Sequence, residues 1–127
     1  MSHKVDVDVK IDNQEALIKA LEEMGYEAHV EKKRLSAYGW SIDADITIKK
    51  KESGRQPNIG FIKQEDGTFK MEADFFLSGI NETDFRNELN ILHGKHKVSD
   101  WLVKHRYNTS YEKDEEGNMV VLGTRWI

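Results

Sequence analysis

Two stretches of this chain alternate apolar and polar residues with a period of two, and that period restricts the fold more than any other feature. Val5, Val7, Val9 and Ile11 alternate with Lys4, Asp6, Asp8 and Lys10. Trp40, Ile42, Ala44, Ile46 and Ile48 alternate with Ser41, Asp43, Asp45, Thr47 and Lys49. Successive side chains of a strand point to opposite faces, so each stretch offers one face to a core and one to water. That is the pattern of an antiparallel sheet covered on one side; strands of a buried parallel sheet are apolar on both.

Helical spacing occurs twice. Leu17, Ile18, Leu21 and Met24 follow one helical face, and Gly25 supplies a stop. Asp12 with Glu15 three residues later has the form of a capping box. Asn81 to Thr83 can cap a second helix carrying Phe85, Leu89 and Leu92, which Gly94 interrupts or ends; Val98, Trp101, Leu102 and His105 continue the stripe. Glu65-Asp66-Gly67 between two β-rich segments reads as a hairpin turn, and Glu116-Gly117-Asn118 as a second. Lys32 to Gly39 reads as a connection, Trp40 to Lys50 as one long strand, and Lys51 to Asn58, with the only proline, as a flexible loop. The expected fold is a single α+β domain over residues 1–127. Its order is β-α-β-β-β-β-α-β-β, an antiparallel sheet with two helices packed on one face.

Composition excludes several classes of function. The 127 residues contain no cysteine, which removes disulfides, thiolate nucleophiles and thiolate zinc sites. The net charge of −4 provides no basic face for a nucleic-acid backbone. No apolar run approaches the roughly 20 residues of a membrane span, and Met1-Ser2-His3 leads straight into a strand pattern rather than a signal peptide. The expected setting is cytoplasmic, with neither nucleic acid nor membrane as partner. Phosphate loops, dinucleotide fingerprints and Gly-x-Ser-x-Gly elbows are absent from the sequence.

A set of short motifs occurs in one order: Met1-Ser2-His3, Tyr38-Gly39, Ala44-Asp45-Ile46, Ile59-Gly60-Phe61, Glu65-Asp66-Gly67, Ala73-Asp74-Phe75-Phe76, His96-Lys97-Val98 and a closing Arg125-Trp126. With these the chain resembles, over nearly its whole length, the small family of the hypothetical chloroplast reading frame thirty-five, shared by plastids, cyanobacteria and many bacteriophages. Plastid members usually have a shorter segment than Lys49 to Pro57. The resemblance carries no catalytic residues to transfer. It implies one class of role, since small phage proteins without catalytic motifs often bind a host protein or sequester a host signalling nucleotide.

The chemistry-bearing residues are weighed against plainer readings. His93 and His96 are three apart and can share a helix face, with Glu88 or His105 as a third metal ligand, but zinc needs three or four; a surface pair is the default. Asp6 with Asp8, Asp43 with Asp45, and Glu72 with Asp74 each share a strand face, as paired catalytic carboxylates do and as the wet face of any antiparallel strand does. Lys32-Lys33-Arg34 and Lys49-Lys50-Lys51 solvate strand ends, or hold a small anion between them. Aromatics at element ends (Tyr38, Trp40, Trp126) offer stacking surfaces, and Arg125 suits phosphate or carboxylate.

The expectation is a non-enzymatic binding protein without a cofactor or a metal. Its ligand is small and anionic or nucleotide-derived, held by Tyr38, Trp40, Asp74, His96, Arg125 and Trp126 at a sheet end or subunit interface. In a phage such a protein would sequester a host immune signal. The alternatives are a module that inhibits a host enzyme through Phe75-Phe76-Leu77 or Val120–Trp126, and a metal-dependent hydrolase using His93, His96 and a carboxylate. A homodimer paired along Val120–Trp126 is the expected association.

Overall fold

The computed structural model describes residues 5–37, 40–105, 107–116 and 119–125. Along the chain run β1 (Val5–Ile11), α1 (Gln14–Glu23), β2 (Tyr26–His29), β3 (Lys33–Ala37), β4 (Trp40–Ala44), β5 (Ile46–Lys50), β6 (Ile59–Lys63) and β7 (Phe69–Ala73). They are followed by the short α2 (Phe75–Ser78), the long α3 (Glu82–Lys104), β8 (Tyr107–Lys113) and β9 (Met119–Arg125). Five strands form an antiparallel sheet in the order β1-β7-β6-β5-β2, with β3–β4 and β8–β9 as separate two-stranded sheets. The α+β class is as expected.

Period two sets which side of the large sheet is covered by helices. Ile46, Ile48, Ile59, Phe61, Phe69, Met71 and Ala73 share one face and are buried against Leu17, Ala20 and Leu21 of α1 and Phe85, Leu89 and Leu92 of α3. The register Ile46↔Phe61↔Met71 lines these side chains up across three strands. The β6–β7 turn falls at Asp66-Gly67, where Gly67 takes φ +87°. The Asp66 carboxylate accepts hydrogen bonds from the backbone and hydroxyl of Thr68 at 3.0 and 2.6 Å.

The run from Trp40 to Lys50 is two strands, not one. At Asp45 the chain leaves β3–β4 and joins the large sheet. The Asp45 N–H donates to the Phe61 carbonyl at 2.9 Å, and its carboxylate accepts the Lys63 N–H at 2.8 Å. Part of the segment read as a connection therefore becomes β3, which pairs with β4 from Lys33↔Ala44 to Ala37↔Trp40. Leu35, Ile42 and Ala44 bury themselves with Ile62 on the face of the sheet away from the helices. That face is not simply wet: Thr47 and Glu72 are also buried there.

Three local expectations also change. Asn13, not Asp12, caps α1, its side chain accepting the Ala16 N–H at 3.0 Å. Gly94 does not interrupt α3, because its φ is not left-handed and the helix runs through it. The loop after β5 is braced: Lys50 N–H donates to the Arg55 carbonyl and Gly54 N–H to the Lys50 carbonyl, both at 2.8 Å, and Pro57 is buried. Among the described residues no helix is long and apolar enough to cross a membrane.

Candidate functional site

The six residues expected to bind a ligand belong to separate parts of the fold. Tyr38 and Trp126 lie outside the described residues. Trp40 begins β4, where it pairs with Ala37, and Arg125 ends β9, where it pairs with Tyr107. Asp74 is fully buried where β7 turns into α2; its N–H donates to the Asn58 carbonyl at 2.8 Å and its carbonyl accepts from Ser78 at 3.2 Å. That is a place in the interior, not on a ligand-facing surface. Phe75, part of an expected docking patch, is likewise in the core. The carboxylate pairs separate too: Asp43 binds Arg34 across β3–β4 at 3.2 Å, whereas Asp45 holds the strand switch.

His96 lies in a seam of charged side chains where α3 packs on α1. Its Nε2 stands 3.4 Å from a Glu23 oxygen that also binds the Lys95 ammonium at 2.8 Å. The Lys95 hydrogen bond holds the Glu23 carboxyl below its ordinary range. Two residues after Lys95, Lys97 binds both oxygens of Asp12, at 2.8 and 2.6 Å, and lowers that carboxyl in the same way. His93 is almost enclosed, its Nε2 3.9 Å from Asp12, and burial pushes the imidazole below its usual value. Lys19 and Asp100 close the seam at 2.9 Å. Among the described residues no three His, Asp or Glu side chains are placed to hold one metal ion. The pairs Glu23–Lys95, Asp12–Lys97 and Lys19–Asp100 tie α3 to α1 and to the residue before the α1 cap.

A groove of about 650 Å³ opens at the end of the large sheet where β2 starts and β5 finishes. Its walls are Met24 and Gly25, the Tyr26 ring, Lys50, Lys51 and the turn residues Glu52 and Ser53. Gly25 ends α1 at φ +95°, a conformation only glycine adopts without strain, and its carbonyl accepts the Lys51 N–H at 3.1 Å. In the β2–β5 register Tyr26 stands opposite Lys50. Tyr26 is fixed edge-on against Phe85, ring centres 5.8 Å apart. Burial, then the charge of Glu88, raises its phenol above the ordinary range.

The two basic runs meet at this loop. The Lys33 ammonium binds Gln56 at 3.0 Å, on the same connection that begins with Lys51. The Lys51 ammonium binds the Glu22 carbonyl at 3.0 Å, at the negative end of α1. An ammonium has three donors, so this bond leaves Lys51 two more. The Lys49–Lys51 run was visible in the sequence; Tyr26 was not, because nothing local marks a tyrosine after a helix stop as facing a groove.

A second groove, of about 510 Å³, runs along α3 beside Asn13, Gly94, Lys97, Val98 and Trp101. Trp101 stacks on His105, ring centres 4.0 Å apart.

No curated protein and no solved structure matches the chain. A family model described as "Protein of unknown function (DUF1257)" matches residues 20–122, from within α1 to within β9. The match takes in the end of α1, the whole of α2 and α3, strands β2 to β8 and the groove at Tyr26, and on that extent the chain belongs to the DUF1257 family.

Proposed function

We propose that this protein captures a small anionic, nucleotide-derived ligand without transforming it, at the sheet end where Tyr26 meets Lys50 and Lys51. The observation that carries this reading is the groove itself: Tyr26, Lys50, Lys51 and a braced turn line a space of about 650 Å³. That volume is within the range of small-molecule sites. The Tyr26 ring offers a face for a base, and the lysines offer charge-assisted donors to a phosphate. Ser53 adds a hydroxyl, and Glu52 an acceptor for a ribose or amino group. The Lys33–Gln56 contact draws the other basic run towards the same loop. The motifs from Ala44-Asp45-Ile46 to Arg125-Trp126 support placing the chain with plastid, cyanobacterial and phage relatives; in a phage, the role of this capture is sequestration of a host signalling nucleotide.

Titration calorimetry with adenosine diphosphate, a cyclic dinucleotide, adenosine and inorganic phosphate tests the reading. A phosphorylated nucleoside is expected to bind and to be recovered unchanged, and Lys50→Ala with Lys51→Ala to weaken it at least about tenfold. Absence of binding by every phosphorylated probe, or binding that the double variant leaves intact, overturns the reading. A melting curve of the double variant separates lost affinity from lost folding.

A further inference from the structure

Two opposite charges share the Tyr26 groove without meeting. Lys50 and Glu52 are two residues apart and both line it. Among the described residues neither the Lys50 ammonium nor the Glu52 carboxylate has a hydrogen-bond or ion-pair partner. The turn keeps them apart. Lys50 is the last residue of β5, opposite Tyr26 in the β2–β5 register. Glu52 lies past the bend, in a turn closed by the Lys50 N–H on the Arg55 carbonyl and the Gly54 N–H on the Lys50 carbonyl, both at 2.8 Å. Ser53 Oγ accepts the Arg55 N–H at 3.2 Å and fixes the turn further. The cation and the acid therefore offer two separate subsites along one groove.

A bare anion does not suit this combination. Met24 and Gly25, where α1 ends, form part of the groove wall, so the negative end of that helix is close by. The Lys51 ammonium is partly taken up by the Glu22 carbonyl at 3.0 Å, and Glu52 adds a full negative charge. A carboxylate beside a phosphate site repels the phosphate, unless the ligand brings hydrogen-bond donors to it. The neighbouring hydroxyls of a ribose are such donors. They are neutral, they lie one sugar away from the 5′-phosphate, and a carboxylate accepts from both. Acidic side chains read ribose hydroxyls in dinucleotide-binding folds.

We propose that Glu52 accepts hydrogen bonds from the 2′- and 3′-hydroxyls of a bound ribose, while Lys50 and Lys51 hold its 5′-phosphate. The inference rests on the nucleotide reading of the groove and narrows it: the ligand is a 5′-phosphorylated ribonucleoside with both hydroxyls free. A 2′-deoxy sugar leaves the carboxylate one donor short. A 3′,5′-linked cyclic dinucleotide has its 3′-oxygen esterified, and a 2′- or 3′-phosphate sets like charge against the acid.

Titration calorimetry compares adenosine 5′-diphosphate with its 2′,3′-dideoxy analogue, with a 3′,5′-linked cyclic dinucleotide and with pyrophosphate, on the wild type and on Glu52→Ala. Glu52 is exposed, and melting curves of the two proteins are expected to coincide. The wild type is expected to prefer the ribonucleotide over the dideoxy analogue at least about tenfold. Glu52→Ala is expected to abolish this preference by weakening the ribonucleotide, and to bind pyrophosphate no worse than the wild type. Lost folding would weaken every probe alike. Equal affinity of the wild type for the two nucleoside diphosphates, a preference that survives Glu52→Ala, or a cyclic dinucleotide bound more tightly than the diphosphate overturns the inference. In each of these outcomes the nucleotide reading stands if Lys50→Ala with Lys51→Ala weakens binding; if no phosphorylated nucleoside binds the wild type, both fall.

Discussion

Gly60 in β6 lies directly beneath Ala44 of β4: a Cβ on Gly60 would stand 2.7 Å from the Ala44 Cβ and 2.9 Å from Leu35 Cδ1. This contact seats the β3–β4 hairpin on the large sheet. The Ala44 Cβ is bound to backbone and cannot turn away, so even one added methyl must push the two sheets apart. Gly60→Ala is expected to destabilise the fold by about 1–3 kcal/mol, the usual cost of overpacking. A lower urea midpoint at unchanged slope reports it; an unchanged midpoint would mean that the hairpin rides loosely on the sheet.

Helix α1 begins with two side chains that do different work. Asn13 accepts the Ala16 N–H, while the adjacent Asp12 binds Lys97 across the seam. Asn13→Ala is expected to cost about 1 kcal/mol. Asp12→Ala removes an exposed ion pair and is expected to cost less. Thermal melts of the two variants, run side by side, rank them; the reverse order contradicts the capping geometry.

Acid should loosen the α1–α3 seam in two steps. Burial depresses His93, so in the folded state it resists a proton that the unfolded chain accepts. Its contribution is therefore intact above the ordinary histidine value, about 6.5, and stability falls as pH drops below it. Asp12 and Glu23 are depressed by Lys97 and Lys95. Their contribution is complete above the ordinary carboxylate values, about 4, and is lost as pH falls through their lower folded values. Denaturant midpoints between pH 7.5 and 5 are expected to decline in the wild type and to decline less in His93→Asn. Equal slopes in the two proteins would remove His93 from the account.

Phe61 stands at the centre of the core, fully buried between Ile46 and Met71. Phe61→Ala is expected to cost about 3–5 kcal/mol, a large fraction of the about 5–15 kcal/mol by which an ordinary domain is stable. A denaturation curve for this variant that resembles the wild type would place the core elsewhere.

Some of this molecule was legible from local pattern because the cause is local. The alternation at Val5–Ile11 and Ile46–Ile48, the Asp66-Gly67 turn and the Phe85-Leu89-Leu92 face each follow from a backbone period or a single φ value. The split of the long alternating run at Asp45 was not legible, because both halves keep period two and only the Phe61 and Lys63 partners make the bend. Asp74 looked like a surface carboxylate beside aromatics; the packing of β6, β7 and α2 encloses it. The groove at Tyr26 needs the end of α1 and the loop after β5 to meet, through Lys51 and Gly25.

The sequence by itself determined the α+β class, the helix-covered face of the sheet, the hairpin turn and the chemistry that cysteine-free composition excludes. All of these depend on residue type and spacing along the chain. Only the tertiary structure decided which charges are matched, which carboxylates are enclosed, that a second layer covers Gly60, and that Tyr26 shares a groove with Lys50 and Lys51. Those outcomes depend on distances between residues far apart in sequence, which the packing of the helices and hairpins on the sheet sets and no local period encodes.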